Sequence, residues 1–205
     1  TVGKVFACAI GGVAYARPLC VASVQLSGAG THNVLIAATQ HDTVYALDAD
    51  ASPCHTYWSK SLLASGETWG TSGDVNSTDI TPDIGIVGTP VIDPSTNTLY
   101  VVSKSKLGST FHQRLHALNL ADGSEKFSGP KEITFTSGNL TFNPLTQNQL
   151  TGLALVNVVV YVAYASHGDT TTYYIWIVCY SASSLSQLSL FNVTTTRSFC
   201  GIWFS

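Results

Sequence analysis

The chain has 205 residues, with nine Lys and Arg against twelve Asp and Glu, and a formal net charge of −3. Charged residues make up 10% of the sequence and apolar residues 45%, whereas an ordinary globular chain is about 25% charged. The small net charge and the lack of a Lys/Arg cluster argue against a nucleic-acid partner. The most apolar run, at 152–166, is too short to span a bilayer, so no membrane span is expected.

A strand–turn–strand pattern recurs three times along the chain. Aligned on Asn33, Asn97 and Asn157, the copies are spaced by 64 and 60 residues. Each copy has a short apolar run, a β-branched and aromatic run, a polar tip, a third strand and a fourth strand. The fourth strand of each copy ends in an aromatic residue: Trp58, Phe127 or Phe191. This cadence is typical of up-and-down four-stranded sheets, and its period favours propeller blades over a sandwich or a solenoid.

The sequence therefore predicts an all-β fold, a partial β-propeller of about three four-stranded antiparallel blades plus flanking strands. We expect a single domain over 1–205 with blades at about 16–58, 86–127 and 151–191. Strands of adjoining blades are expected at 3–10 and 200–205.

The second copy reads LYVVSKSK and then QRLHALNLADGSEKF, and it resembles the repeat of pyrroloquinoline-quinone (PQQ) β-propellers. Residues 41–58 form a looser copy. The segments DITPDIGIVGTPVIDP and FNPLTQNQLTGLAL are similar to secreted, mostly uncharacterised bacterial members of that group. The resemblance implies a quinoprotein-dehydrogenase-like fold over nearly the whole chain. Such propellers close with roughly six to eight blades, so this chain would supply about half of a ring.

Blade geometry predicts where a ligand would bind. Tips between second and third strands share one face with the connections between blades, and the resemblance implies that this face holds ligands. The connections at 59–87 and 128–151 would bring Asp74, Asp79 and Asp83, and Asn143, Gln147 and Asn148, to that face. A His beside an Asp suits acid–base chemistry, although polar tips also occur as plain solvated turns. The ligand-face candidates at the tips and in the first connection are His41, Asp42, Trp69, Lys104, Lys106, His167 and Asp169.

No catalytic residue, metal site or cofactor is predicted. The resemblance implies that PQQ would need a stacking Trp, partners for its carboxylates and commonly Ca2+, and Trp176 is expected in the core instead. Residues 48–52 begin like a calcium loop, but Pro53 stands where such a loop needs glycine. His112 and His116 flank Arg114 on one strand face, and the guanidinium disfavours zinc.

The five cysteines, Cys8, Cys20, Cys54, Cys179 and Cys200, show no CxxC spacing. Cys8 and Cys20 flank a turn and would be able to pair, and Cys200 would be able to cross-link two copies. Buried free thiols fit the sequence equally well. The resemblance implies a cysteine near Ser77, and its absence here would leave Cys54 without its usual partner.

Three sequons begin at Asn76, Asn139 and Asn192, and they would accept glycans on a eukaryotic secretory route. Together with the low charge, they indicate a secreted, extracellular protein. The lack of Met predicts a processed product.

An isolated arc of blades leaves two apolar faces uncovered, and soluble monomers rarely expose apolar patches above roughly several hundred Å2. The predicted function is therefore a secreted, non-catalytic binding or assembly module, completed by another copy or a second chain. Its ligand would be a carbohydrate, a surface or a protein, and the nearly uncharged third copy would be the contact surface. The alternatives are a fragment of a PQQ-dependent dehydrogenase-like enzyme and a self-assembling fibre or matrix protein.

Overall fold

The computed structural model describes residues 6–168 and 174–194, which contain strands, turns and loops but no helix. The first sheet is antiparallel and follows chain order: β1 (Leu19–Leu26), β2 (Gly30–Thr39), β3 (Thr43–Asp48) and β4 (Thr56–Ser61). β-branched residues alternate along β2, so Val34 and Ile36 point into the core while their neighbours face the other side.

The longest hairpin among the described residues lies at the centre of the second sheet. Its strands are β5 (Thr68–Thr71), β6 (Asp83–Ile84), β7 (Val91–Asp93), β8 (Thr98–Leu107), β9 (Thr110–Asn119) and β10 (Lys131–Glu132). The order is β10-β9-β8-β5-β6, and β7 pairs with the other half of β8. A separate two-stranded hairpin follows, formed by β11 (Thr136–Ser137) and β12 (Leu140–Thr141).

The third sheet repeats this plan. Its strands are β13 (Gln147–Asn148), β14 (Ala154–Val156), β15 (Val159–Ser166), β16 (Trp176–Ser181) and β17 (Gln187–Asn192). The order is β13-β15-β16-β17, and β14 pairs with the start of β15. The predicted all-β class is confirmed, with antiparallel sheets that do not close, as in a partial propeller. The predicted blades at 16–58, 86–127 and 151–191 each overlap one of the three sheets.

The three sheets stack face to face, with the second in the middle. Leu99 and Val101 of β8 join the first sheet's Val34, Ile36 and Ala46 in one apolar cluster. The alternate β8 residues join a second cluster with the third sheet, whose members include Tyr100, Val102, Val160, Val162, Trp176 and Val178. Both faces of β8 are therefore buried, which explains its unbroken burial from Thr98 to Ser105. Trp176 lies in the core as predicted.

Residues 6–16, which we call the N-terminal strap, cross the first sheet without forming a strand. A disulfide joins Cys8 to Cys54, the Gly11 N–H donates to Tyr45 Oη at 3.0 Å, and Val13 O accepts from the Gln40 N–H at 2.9 Å. The strand predicted at 3–10 is therefore absent from its described part, 6–10, where Cys8 is held by its disulfide to Cys54 rather than by a strand ladder. Residues 200–205 lie outside the described part.

The fourth strand predicted to end at Phe127 is reduced to one bridge, between Leu118 and Glu125. Phe127 and Ser128 both have φ near +56°, which ends the extended backbone. The strand that pairs with β9 at this edge is β10 instead. Among the described residues no helix is long and apolar enough to cross a membrane.

Candidate functional site

The loop that joins β5 to β6 within the second sheet supplies one carboxylate to each of the three sheets. Within residues 72–83, which we call the acidic loop, Asp83 Oδ2 lies 2.9 Å from His41 Nε2 at the β2–β3 tip. Asp74 Oδ2 lies 2.6 Å from Lys106 Nζ in β8. Asp79 Oδ2 lies 3.4 Å from Nδ1 of His167, just after β15. The loop thereby brings together three groups that are far apart in the sequence.

Lys104 and Lys106 do not lie at a tip, as the sequence suggested, but inside β8. The turn falls later, at Gly108, whose φ of +60° allows the tight reversal between Leu107 and Thr110. Lys106 stays partly exposed, whereas Lys104 is buried between the second and third sheets.

The ammonium of Lys104 has three neighbours. Its Nζ donates to Leu145 O at 2.8 Å and Gln147 O at 3.1 Å, and it lies 2.9 Å from His167 Nε2. Burial lowers the pKa of Lys104 from 10.5 to about 7, and the carboxylates of Asp79 and Asp74 oppose that shift. Lys104 therefore ties the second sheet to the chain segment preceding the third.

His167 connects this buried lysine to the acidic loop. Burial lowers the pKa of His167, with Asp79 acting against it and Lys104 adding to it. A neutral ring with its proton on Nδ1 would accept from Lys104 and point that proton at Asp79. Although burial opposes ionisation of Asp79, its neighbours His167 and Ser77 lower its pKa to about 2.

His41 is held between an aromatic ring and the N-terminal strap. Its ring stacks on Trp69, with centroids 3.9 Å apart and an interplanar angle of 12°. A Cβ on Gly12, where φ is +82°, would lie 2.9 Å from His41 Cγ, so only glycine fits there without a shift. The pairing of His41 with Asp83 and Trp69 was not visible in the sequence, which only placed them on one face.

Asp42 is fully buried rather than presented to solvent at its tip. Its Oδ1 accepts from the Lys104 N–H at 3.2 Å, and its backbone O accepts from the Leu62 N–H at 2.8 Å. Burial raises the pKa of Asp42 well above its ordinary value. A Cβ on Gly85 would lie 2.2 Å from Gln40 O, so the chain packs tightly here. Asp42 links the first and second sheets instead of facing a ligand.

An open pocket of about 520 Å3 lies at the acidic loop. Hydroxyl, amide and carboxylate groups line it together with backbone, from Ser72, Gly73, Asn76, Ser77, Thr78, Asp79 and Gly168. Among the described lining residues, Asp79 alone carries a formal charge, and its partner is His167. Asp169, the seventh predicted candidate, lies outside the described residues.

A second set of charged groups lies between the first and second sheets. Arg114 donates two hydrogen bonds to Glu67, at 2.7 and 2.8 Å, and its Nε lies 2.7 Å from Glu132 Oε2. His112 also contacts Glu132, and His116 contacts Glu125. The shared strand face of His112, Arg114 and His116 is as predicted, but their acidic partners were not foreseen. Glu67 lies 47 residues from Arg114, whereas Glu125 and Glu132 come from the chain that follows β9.

The cysteines differ from the sequence-based expectations. Cys54 is bonded to Cys8, which sequence separation alone could not indicate, and Cys20 is free and exposed. Cys179 is a buried free thiol. Cys200 lies outside the described residues.

The three sequons occupy different surroundings. Asn76 and Asn139 are exposed, the latter in the two-residue turn between β11 and β12. Asn192 is partly buried, and its Oδ1 accepts from the N–H of Thr194 at 2.9 Å.

The residues of this face do not fit a quinone cofactor. PQQ carboxylates would need free cations, but Lys106, Lys104 and Arg114 are already held by carboxylates or carbonyls. One face of Trp69 is covered by His41. Within the described ranges, no group of three or more His, Cys, Asp or Glu side chains is arranged to hold a metal ion.

Comparison with models of known protein families gives no match for this chain. None of the curated proteins matches it either.

Proposed function

We propose that this chain is a secreted, non-catalytic β-propeller-like module, related to the PQQ-repeat propellers it resembles, that binds a ligand at the acidic-loop pocket. The observation that carries the proposal is the internal pairing of charges around that pocket. Asp74, Asp79 and Asp83 each face a basic group from a different sheet. Such pairing fixes the loop and leaves uncharged hydrogen-bonding groups for a ligand.

The same pairing argues against acid–base catalysis by these carboxylates. A general acid works best with a pKa near the working pH, whereas the surroundings of Asp79 lower its pKa to about 2. The pKa of Asp74 is also lowered, since Lys106 and Thr71 outweigh the opposing effect of burial. Both side chains are therefore hydrogen-bond acceptors at neutral pH.

The ligand class that suits this lining is a neutral, polyhydroxylated molecule, such as a carbohydrate. Hydroxyl and amide groups both donate and accept, which matches sugar hydroxyls. The Cys8–Cys54 disulfide supports the secreted localisation, because disulfides persist in oxidising compartments.

A neutral-glycan array followed by titration calorimetry tests this proposal. The variant Thr78→Val, made with the wild type in a bacterial host so that neither carries a glycan at Asn76, removes an exposed hydroxyl from the pocket lining without changing side-chain shape. We expect it to weaken binding about fivefold, the effect of one lost hydrogen bond. The matched control is Thr56→Val, on exposed β4, which should bind as the wild type does. Silence on the array, or equal affinity for both variants, would contradict the proposal.

Only the resemblance supports the alternative of a PQQ-dependent dehydrogenase fragment. Adding PQQ and Ca2+ while following absorbance and dye reduction tests it directly. We expect neither signal to change, and dye reduction by the reconstituted chain would favour the enzyme.

Assembly is a second candidate function, and a separate observation favours it. Large apolar side chains remain exposed on the third sheet and at its ends: Val156, Val158, Tyr161, Leu188, Phe191 and Val193. We propose that the arc associates with another copy through this sheet. A closed oligomer and an open fibre or matrix are the two forms that such association can take.

A further inference from the structure

The face of the third sheet that points away from the second sheet is apolar, and we call it the outer face. Strand register places Tyr161 opposite Cys179 and Ala154, and it places Ile177 opposite Phe191. Paired residues in antiparallel strands point to the same side. On this face Val156 is 52% exposed, Tyr161 37% and Phe191 57%.

The described residues give the outer face no formal charge. Within the described residues between 147 and 194 there is no Asp, Glu, Lys or Arg. Two identical copies of such a face meet without like-charge repulsion, whereas it offers a charged partner nothing to pair with. The chemistry therefore favours a second copy as the occupant.

The opposite end of the stack is different, because the N-terminal strap bonds to β3 and to the β2–β3 tip there, and the outward residues left exposed at its edges, such as Cys20 and Ser59, are small or polar. The first sheet's outward residues include Ala37 and Leu47, which are 5% and 3% exposed. None of the large apolar side chains of β1–β4 is exposed. The strap itself exposes only Val13 and Tyr15 as large apolar side chains.

The middle sheet offers no further face, since apolar clusters bury both of its sides. One uncovered sheet face per chain allows an isologous contact, in which the same patch is used by both copies. A head-to-tail fibre needs two different faces, and the strap covers the second of them. A single uncovered apolar sheet face per chain therefore favours a closed dimer over a fibre.

We propose that two copies pair through the outer faces of their third sheets, related by a two-fold axis, in a closed dimer. This inference rests on the self-association part of the proposed function and goes beyond it by fixing the face, the symmetry and the stoichiometry. The dimer joins two arcs into one longer stack whose ends are both covered by N-terminal straps.

Size-exclusion chromatography of the full chain with light scattering tests this inference. The monomer mass is 21.7 kDa, and we expect twice that value for the wild type. Phe191→Lys places a charge on the outer face, at its β17 edge, and we expect it to elute as a folded monomer. Leu107→Lys is the matched control, because Leu107 is exposed in the β8–β9 turn, away from the outer face, and should leave the dimer intact.

The possible results distinguish the closed dimer from self-association in general. A wild-type monomer would overturn both self-association and the closed dimer. A growing polymer would keep self-association and overturn the isologous contact. A dimer that Phe191→Lys leaves intact would overturn the assigned face, provided that circular dichroism shows the variant folded.

Discussion

Cys8 and Cys54 are disulfide-bonded across 46 residues of sequence, and their bond holds the N-terminal strap against the first sheet. Val13 and Gly11 of the strap also bond to the β2–β3 tip and to Tyr45. The disulfide therefore influences assembly, because it holds the strap over the outward side of the first sheet.

Removing this bond with Cys8→Ser and Cys54→Ser together should release the strap and uncover a second sheet face. Two unlike faces permit head-to-tail addition, so we expect the closed dimer to give way to larger species in light scattering. Cys20→Ser is the control, since Cys20 is exposed and unbonded. If the double variant stays dimeric with a protease-sensitive strap, the strap is not what prevents polymer growth.

The Glu67–Arg114 pair should stabilise the packing of the segment just before β5 against β9. Their side chains are 4% and 12% exposed, and breaking such a pair costs about 3 kcal/mol. We expect Glu67→Gln to lower the free energy of unfolding in urea by about that amount at pH 7. Glu132→Gln, at a side chain that is 38% exposed, should cost much less.

The pH dependence of the stabilisation that this pair provides follows from the pKa of Glu67. Hydrogen bonds from Arg114 lower the pKa of Glu67 from 4.5 to about 2, against an opposing effect of burial. The stabilisation is present above the unfolded-state pKa and is lost as the pH falls toward 2. The gap in stability between wild type and Glu67→Gln should therefore close over that range, and a constant gap would count against the ion pair.

Lys104 should make stability rise with pH above neutrality. Because burial lowers its pKa to about 7, the unfolded chain holds more protons than the folded chain between about pH 7 and 10.5. In urea unfolding experiments, we expect the free energy of unfolding of the wild type, relative to that of Lys104→Met, to increase with pH across that window. Lys60→Met, on exposed β4, should track the wild type. A flat difference between wild type and Lys104→Met would contradict the lowered pKa.

The regular part of this architecture could be predicted from the sequence because it depends on local pattern. Alternating β-branched residues in three copies specify hairpins, and the continuous apolar residues 99–102 of β8 fit burial on both faces. The short strands β5, β6 and β10–β13 have no such pattern. Apart from β11 and β12, which pair with each other in a local hairpin, they form because neighbouring strands offer unpaired backbone groups, which is a tertiary effect.

The candidate site could be predicted only in outline. Blade geometry brought His41, Trp69 and the acidic loop to one face, but it did not specify which side chains form pairs. Each ion pair joins segments dozens of residues apart, so it depends on the folded loop path. Lys104 was misplaced because nothing local showed that β8 continues to Leu107 before Gly108 turns the chain.

Glycan occupancy should distinguish the sequons when the chain is secreted from a eukaryotic host. Asn139 lies exposed in a hairpin turn, whereas the sequon residue Thr194 is buried and hydrogen-bonded to Asn192 and Ile175. We expect a glycan at Asn139 and none at Asn192 by peptide mass spectrometry, with Asn139→Gln as the control. Modification of Asn192 in preference to Asn139 would show that local exposure does not decide occupancy.

Sedimentation equilibrium of the full wild-type chain over a wide concentration range is the decisive measurement of the closed dimer. We expect a reversible monomer–dimer equilibrium that stops at two copies. A single species of 21.7 kDa at every concentration, or mass that keeps growing with concentration, would contradict it.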